Sequence, residues 1–255
     1  MSTSIEIAIT CTWFQHRLNW MLSSLLQQIG DVPDLVISIA HPPENGSPTT
    51  ESICNFFKNE GLDIREIIIP MDEIQYRGLA RNEQLRQCTC EWILFADTDM
   101  VYSPDFFADL GKQLEGHLKK ETKCISSRRV SLDKDYCKNY FNSSDPWKNQ
   151  YPVIVPAPSV ICKNWPIFQI SANVGAGYFQ LANVANIKEN HKGIYVPDDS
   201  NPDWGWLEGK KMQKAKSDRV FRRMLGGIKK IKTKCQYHLN HERDNEEGYH
   251  LTLQR

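Results

Sequence analysis

The chain has 255 residues, of which 40% are hydrophobic, and its 31 lysines and arginines balance 31 aspartates and glutamates. This composition excludes a mainly disordered chain, a collagen and a coiled coil, and the neutral charge argues against a nucleic-acid-binding protein. The length suits one large domain or two small ones. No apolar run is long enough to cross a membrane, and the start of the chain shows no secretory signal. We therefore expect a cytoplasmic protein whose eight cysteines are reduced thiols.

In the first half of the chain, segments that predict strands alternate with segments that predict helices. Short apolar, β-branched runs predict strands at residues 5–10, 35–40, 64–69, 92–96 and 124–130. Helical spacing of apolar residues and capping signals predict helices at residues 17–28, around 53–57, at 77–87, and from Ser103 and Pro104 onwards. Four or five βα units in series predict an α/β fold with a mostly parallel, doubly wound sheet.

The second half of the chain is less regular. It predicts loops at residues 133–158 and 197–206, a short helix at 217–225 ended by Gly226 and Gly227, and a last strand at 231–238. Between residues 209 and 234 there are eleven lysines and arginines and one acid, Asp218. This segment is either a solvated surface or a basic face for phosphates or an anionic surface, including peripheral contact with a membrane.

The strongest chemical signal is the triplet Asp97-Thr98-Asp99, which directly follows the apolar run at residues 92–96. Ligands of open α/β sheets bind beyond the carboxyl ends of the strands. Two carboxylates placed there repel each other unless a cation lies between them, and oxygen ligands suit a divalent metal. Such a metal can also bridge a diphosphate and neutralise a leaving phosphate. The alternative is an ordinary surface turn, in which aspartate is common.

Taken with other segments, this triplet resembles the corresponding motif of the GT-A glycosyltransferases, and in particular of the family 2-like enzymes. The resembling segments, in chain order, are residues 7–28, 77–88, 93–107, 174–181, 217–227 and 237–241. The resemblance implies a single GT-A domain over residues 1–255, with a Rossmann-like, mostly parallel central sheet flanked by helices. Residues 1–130 would form the nucleotide-sugar-binding half, and residues 131–255 a smaller, irregular acceptor-binding half.

The resemblance also implies an activity. The chain would be a metal-dependent hexosyltransferase that uses Mn²⁺ or Mg²⁺. It would move a sugar from a nucleoside diphosphate sugar, with UDP-glucose the first donor to test, to a hydroxyl of a glycan or another acceptor.

Donor-site roles follow from the same motifs, residue by residue. Thr10 and Thr12 would line the nucleobase pocket, and Thr98 would lie against the nucleotide sugar. Arg77, Arg81 and Asn82 would face the nucleotide, where an arginine fork suits a diphosphate.

The metal would be held by the two aspartates and a histidine. Asp97 would contact the ribose or the metal, Asp99 would ligate the metal, and His241 would complete the ligand set. His238 is the second possibility, because strand alternation places residues 238 and 241 on opposite faces unless the chain turns between them.

The acceptor side is carried over in the same way. Asp218, at a predicted helix N-terminus that keeps its carboxylate ionised, would be the catalytic base, with Glu208 as a competing candidate. Trp204 and Trp206 would form a stacking wall for a sugar ring. Two positions depart from the family pattern: His41 stands where many relatives have a base-reading acid, and Ser217 stands where the family has glutamate.

The sequence leaves two other functions open. A nucleotidyltransferase on a similar sheet would need a glycine-rich loop after the first strand, and the segment TCTWFQHRL contains no glycine. A degenerate transferase that only binds glycan is the non-enzymatic alternative, which the change at Ser217 permits.

Overall fold

The computed structural model describes residues 3–12, 14–44, 49–74, 77–132, 151–155, 167–170, 178–191, 193, 195 and 217–239. The described helices are α1 (Gln15–Leu26), α2 (Thr50–Asn59), α3 (Met71–Ile74), α4 (Arg77–Gln87), α5 (Phe106–Glu115), α6 (Val184–Asn190) and α7 (Ser217–Met224). The described strands are β1 (Ser4–Thr10), β2 (Asp34–His41), β3 (Ile64–Ile68), β4 (Trp92–Ala96), β5 (Met100–Tyr102), β6 (Cys124–Ser127), β7 (Val130–Leu132), β8 (Ile167–Ile170), β9 (Phe179–Asn183), β10 (Ile228–Ile231) and β11 (Gln236–His238).

A seven-stranded sheet in the order β10-β6-β9-β4-β1-β2-β3 forms the centre of the fold. Its strands are parallel except β9, which runs antiparallel to both β4 and β6. A smaller sheet, in the order β5-β11-β7-β8, holds the remaining strands. The mostly parallel α/β sheet predicted from the sequence is therefore confirmed.

Strand β4 shows why the sheet carries helices on both of its faces. All five of its residues are buried, as the unbroken apolar run predicts. Because successive side chains point to opposite faces, Leu94 joins a core cluster with α1, α2 and α5, whereas Ile93 and Phe95 join a second cluster with α4, α6 and α7. This buried strand delivers the Asp97-Thr98-Asp99 triplet to the carboxyl edge of the sheet.

Two predicted strands were wrong in their extent. The predicted strand at residues 124–130 is two strands, β6 and β7, and that at residues 231–238 is also two, β10 and β11. In both cases the first strand belongs to the large sheet and the second to the small one. Local alternation of apolar residues cannot show that the chain changes sheets, because that change depends on distant partners.

The helix predicted to start at Ser103 and Pro104 begins at Phe106 instead. The Ser103 hydroxyl donates to the Asp105 side chain rather than accepting a backbone N–H from the helix. The Phe106 N–H donates to the Ser103 carbonyl at 3.0 Å, which closes a turn ahead of the helix.

Helix α7 ends as predicted. Gly226 and Gly227 have φ angles of 73° and 114°, which disfavour other residues, and their N–H groups bond back to the carbonyls of Arg223 and Arg222. No helix of the described segments is long and apolar enough to cross a membrane. The six cysteines in those segments are free thiols, and all but Cys235 are buried.

Candidate active site

The site is built on the turn that follows β4. The side chain of Asp97 is 28% exposed, whereas that of Asp99 is only 12% exposed. The Met100 N–H donates to the Asp97 carbonyl, and the chain then enters β5. The turn therefore aims one carboxylate towards solvent and holds the other inside the protein.

His238 meets the inner carboxylate. Strand β11 pairs antiparallel with β5 and sets His238 opposite Met100. This register brings His238 Nε2 to 3.1 Å from Asp99 Oδ2, and the Leu239 N–H donates to the Asp99 carbonyl at 2.9 Å. Of the two predicted histidines, the structure thus brings His238 to Asp99, while His241 lies outside the described residues.

The donor atoms at this point suit a divalent cation. Carboxylate oxygens from Asp97 and Asp99 and an imidazole nitrogen from His238 are all common ligands of Mn²⁺. The described segments contain no group of three or more histidine, cysteine or acidic side chains already gathered for a metal. Asp99 and His238 therefore form a pair to which further ligands would have to be added.

Helix α4 supplies two arginines, four residues apart, to the same edge of the sheet. Arg77 is exposed, and its Nη1 donates to Asp97 Oδ1 at 3.2 Å. Arg81 is 1% exposed, and its Nη2 lies 3.7 Å from the same oxygen. Both arginines lie next to Asp97, but only Arg77 is exposed, and the expected contact of these residues with a nucleotide stays a prediction.

Buried Arg81 is the centre of a polar cluster beneath the site. Its Nη1 lies 2.5 Å from Asp218 Oδ1, 2.5 Å from the Tyr195 hydroxyl and 3.4 Å from Gln180 Oε1. Burial alone would lower the pKa of Arg81, but Tyr195 and Asp218 outweigh it and raise that pKa. The guanidinium therefore stays charged and links α4 to α7.

Asp218 lies in the first turn of α7, as predicted, and its carboxylate is already engaged. Oδ1 accepts from Arg81 and from the Tyr195 hydroxyl, the latter at 2.7 Å. Burial alone would raise the pKa of Asp218, but Arg81 and Tyr195 lower it below the ordinary aspartate value. The group is thus ionised at neutral pH, as a base must be, although the Arg81 pair weakens its basicity.

Tyr195 was not predicted from the sequence and connects four elements. Its ring stacks on Phe221 of α7 at 4.2 Å and meets Phe95 of β4 edge-on at 4.6 Å. Its hydroxyl contacts Arg81 and Gln180 of β9 and donates its proton to Asp218. Burial raises the pKa of Tyr195 well above its ordinary value, so the hydroxyl keeps its proton. No local pattern around residue 195 points to this role.

The remaining predicted donor residues are placed as follows. Asn82 Oδ1 accepts the Tyr195 backbone N–H at 2.6 Å, so this side chain supports the buried cluster. Thr10 ends β1, and its buried hydroxyl has no hydrogen-bond partner within the described chain, whereas Thr12 is half-buried beyond the strand. Thr98 is buried between the two aspartates.

His41 stands at the end of β2, where an acid was expected from the family pattern. The side chain is 3% exposed, with Nδ1 2.9 Å from the Pro42 carbonyl and Nε2 3.3 Å from Glu66 Oε2 of β3. His41 is therefore fixed within the sheet, and its ring contacts the carboxylate of Glu66.

Four predicted residues, Trp204, Trp206, Glu208 and His241, lie outside the described residues.

Comparisons with known proteins agree with this architecture. A family model described as Glycosyl transferase family 2 matches residues 17–135, a little under half of the chain. A search of curated proteins finds no match.

Solved structures of TarS from S. aureus have the same fold. One crystal structure matches with a TM-score of 0.57 at 14% identity, over 98% of this chain and 38% of that chain. TarS 1–349 in complex with UDP matches with a TM-score of 0.56 at 16% identity, over 98% of this chain and 63% of that chain. TarS 1–349 in complex with UDP-GlcNAc matches with a TM-score of 0.54 at 15% identity, over 96% of this chain and 59% of that chain. The chain therefore spans less than two thirds of each of these proteins, and the predicted GT-A fold is confirmed.

Proposed function

We propose that this chain, which has the GT-A fold and resembles the family 2 glycosyltransferases, moves a sugar from a UDP-sugar to an acceptor hydroxyl with the help of a divalent cation. The observation that carries the proposal is the contact of Asp99 with His238, which lies near Asp97 at the carboxyl edge of the sheet. A nucleotide bound at that edge would have its diphosphate next to oxygen and nitrogen ligands for a metal.

The reaction exchanges one bond for another at the anomeric carbon of the donor sugar. The acceptor hydroxyl oxygen forms the new glycosidic bond, while the bond from that carbon to the diphosphate oxygen breaks. UDP leaves with the electron pair of the broken bond. The hydroxyl proton passes to a protein carboxylate if configuration inverts, or to the leaving phosphate if it is retained.

The residues in the site divide this work between them. Asp99, His238 and Asp97 would hold Mn²⁺ or Mg²⁺, which when bound neutralises charge on the diphosphate. Arg77, whose side chain is 47% exposed, is free to turn its guanidinium towards a phosphate. Arg81 is buried under the site and instead fixes its neighbours in place.

The protein base is Asp218 in this proposal, with Glu208 as the competing residue. Asp218 is ionised, lies at the end of α7 nearest the buried cluster, and has a side chain that is 20% exposed. A proton acceptor needs this ionised form, and the modest exposure leaves room for an acceptor hydroxyl to approach.

The donor base and sugar are proposed from the ligands of the TarS crystal structures. TarS has been crystallised with UDP and with UDP-GlcNAc, which supports a UDP-sugar donor for this chain. We therefore place UDP-GlcNAc beside UDP-glucose as the first donors to test.

The deciding experiment is a calorimetric titration of UDP with and without Mn²⁺. We expect Mn²⁺ to strengthen UDP binding by about tenfold or more, which corresponds to about 1.4 kcal/mol. This gain should disappear in Asp99→Asn and persist in Asp31→Asn, a matched control that removes an exposed carboxylate preceding β2, at the opposite edge of the sheet.

Turnover then separates the enzyme from a binding module. We expect metal-dependent release of UDP from at least one of the two UDP-sugars. Absence of UDP binding under both conditions would contradict the proposed donor. UDP binding without turnover of any sugar tested, with glycans offered as acceptors, would favour the degenerate glycan-binding alternative.

A further inference from the structure

Two connections at the carboxyl edge of the large sheet lie side by side. The β6–β7 connection contains Arg128 and Arg129, and the β10–β11 connection contains Lys232. Ser127 and Thr233 join the two connections by a hydroxyl–hydroxyl bond of 2.6 Å. The Gln236 side chain also donates to the Arg128 carbonyl at 3.0 Å. We call Arg128, Arg129 and Lys232 the basic rim.

The basic rim borders the candidate active site. Strand β9 runs antiparallel to β4 with Phe179 opposite Ala96, so Tyr178 lies beside the position of Asp97. The Arg129 guanidinium sits over the Tyr178 ring, with its central carbon 4.3 Å from the ring centroid. The Tyr178 hydroxyl donates to the Ser127 carbonyl at 3.3 Å, which ties the ring to the same connection.

The charges of the basic rim are not neutralised within the described chain. Arg77, Arg81 and Lys234 each lie within 4 Å of a carboxylate, whereas neither rim arginine nor Lys232 has such a partner among the described residues. The Nε of Arg129 is buried and lacks a hydrogen-bond acceptor there. A buried N–H without an acceptor is costly, so the hydrogen bonding of Arg129 is incomplete within the described residues.

The position of the rim in the sheet indicates which substrate it would contact. The rim follows β6 and β10, which lie on one side of β4, whereas β1 and β2 lie on the other side. Thr10, the predicted nucleobase contact, ends β1. If the base of the donor lies over β1 and its diphosphate lies at β4, the donor does not extend to the basic rim. The rim would then contact the acceptor, which would approach from the side of β9.

We propose that the basic rim binds an anionic group, a phosphate ester above all, carried by the acceptor. This inference rests on the proposed glycosyl transfer and adds the chemical class of the acceptor to it. The guanidinium forks of two consecutive arginines suit the several oxygens of a phosphate better than lysines do. Positive charge beside the site would also raise the local concentration of an anionic acceptor.

The test compares binding of inorganic polyphosphate, measured without metal at about 0.15 M ionic strength, with binding of UDP in the presence of Mn²⁺. We expect Arg128→Gln/Arg129→Gln to weaken polyphosphate binding by about tenfold or more, because two charge-assisted contacts with phosphate oxygens are lost. UDP binding should stay within about twofold of the wild type, since the rim is not a donor contact in this proposal.

The matched control is Lys229→Gln/Lys230→Gln, which removes the same charge from exposed positions on the edge strand β10. We expect it to change polyphosphate binding by less than about threefold, because at about 0.15 M ionic strength a charge that does not touch the ligand is largely screened. Arg128 is exposed, so Arg128→Gln alone tests the rim even if the double variant fails to fold.

Three results would overturn the inference. Equal weakening by the arginine pair and the lysine pair would mean diffuse attraction, and no weakening by the arginine pair would mean no site. Loss of UDP affinity in the arginine variant would assign the rim to the donor diphosphate. If the proposed function is wrong, the wild type does not bind UDP. The comparison of polyphosphate binding between the variants can still be interpreted in that case.

Discussion

Replacing Tyr195 by phenylalanine should destabilise the protein although it removes a single oxygen atom. The stacking on Phe221 and the edge contact with Phe95 do not involve the hydroxyl and would remain. The contacts that are lost are those of the hydroxyl with Arg81 at 2.5 Å and with Asp218 at 2.7 Å, together with the bond to Gln180. The substitution thus isolates the polar part of the Tyr195 environment.

The expected loss is about 3 kcal/mol in the free energy of unfolding. Arg81 and Asp218 are both charged, and a hydrogen bond to a charged group contributes about 1.5–3 kcal/mol. The lower figure applies to each bond, because Arg81 and Asp218 remain 2.5 Å apart and still satisfy one another. Two such bonds give the stated total.

Urea denaturation at pH 7 measures this loss, provided that the slope of free energy against urea concentration stays unchanged. Tyr102→Phe is the matched control. Tyr102 is equally buried, and its hydroxyl has no hydrogen-bond partner in the described part of the chain, so we expect its loss to cost less than about 0.5 kcal/mol.

A double-mutant cycle with Asp218→Asn sharpens the test. Because Tyr195 and Asp218 share a bond, their effects should differ from additivity by about 1–2 kcal/mol. The reasoning would be refuted if Tyr195→Phe cost no more than Tyr102→Phe, or if the two substitutions were additive. Either result would mean that the buried cluster does not hold Asp218.

Three further substitutions test the same part of the fold. Asp218→Asn should destabilise by about 3 kcal/mol at pH 7. Because the folded-state pKa of Asp218 is lowered, the difference from the wild type should persist above the ordinary aspartate range and shrink as pH falls below that range towards the folded value, which urea titrations from neutral to acid pH would show. Phe221→Ala should cost about 3–5 kcal/mol by the same assay, since this buried ring contacts both Tyr195 and Phe95. Gly227→Ala should cost about 1–2 kcal/mol, because a φ of 114° strains any other residue although nothing lies within 4 Å of the added carbon; a change below about 0.3 kcal/mol would contradict this.

The first half of the fold could be predicted from the sequence because its signals are local. Residues 77–87 predict a helix, and α4 has these bounds. The apolar run at residues 92–96 predicts a strand covered on both faces, and β4 is buried throughout. In each case the side chains that form the pattern are the side chains that pack, so periodicity and burial coincide.

The small sheet could not be predicted as well because its strands are short and lie far apart along the chain. Strands β5, β7 and β11 have three residues each, too few for a period of two to stand out. Their existence depends on one another: β11 is the neighbour of both β5 and β7 in the small sheet. A strand that forms only by pairing with distant strands cannot be predicted from a short stretch of sequence.

The candidate site shows the same division between local and distant information. Asp97 and Asp99 could be predicted because they follow a recognisable strand, whereas the choice between His238 and His241 could not be made. That choice depends on the register of β11 against β5, which sets His238 opposite Met100 and hence next to Asp99. Substituting each histidine by glutamine and repeating the Mn²⁺-dependent UDP titration would decide the matter. We expect His238→Gln to abolish the metal effect, and retention of the full effect in that variant would remove His238 from the proposed ligand set.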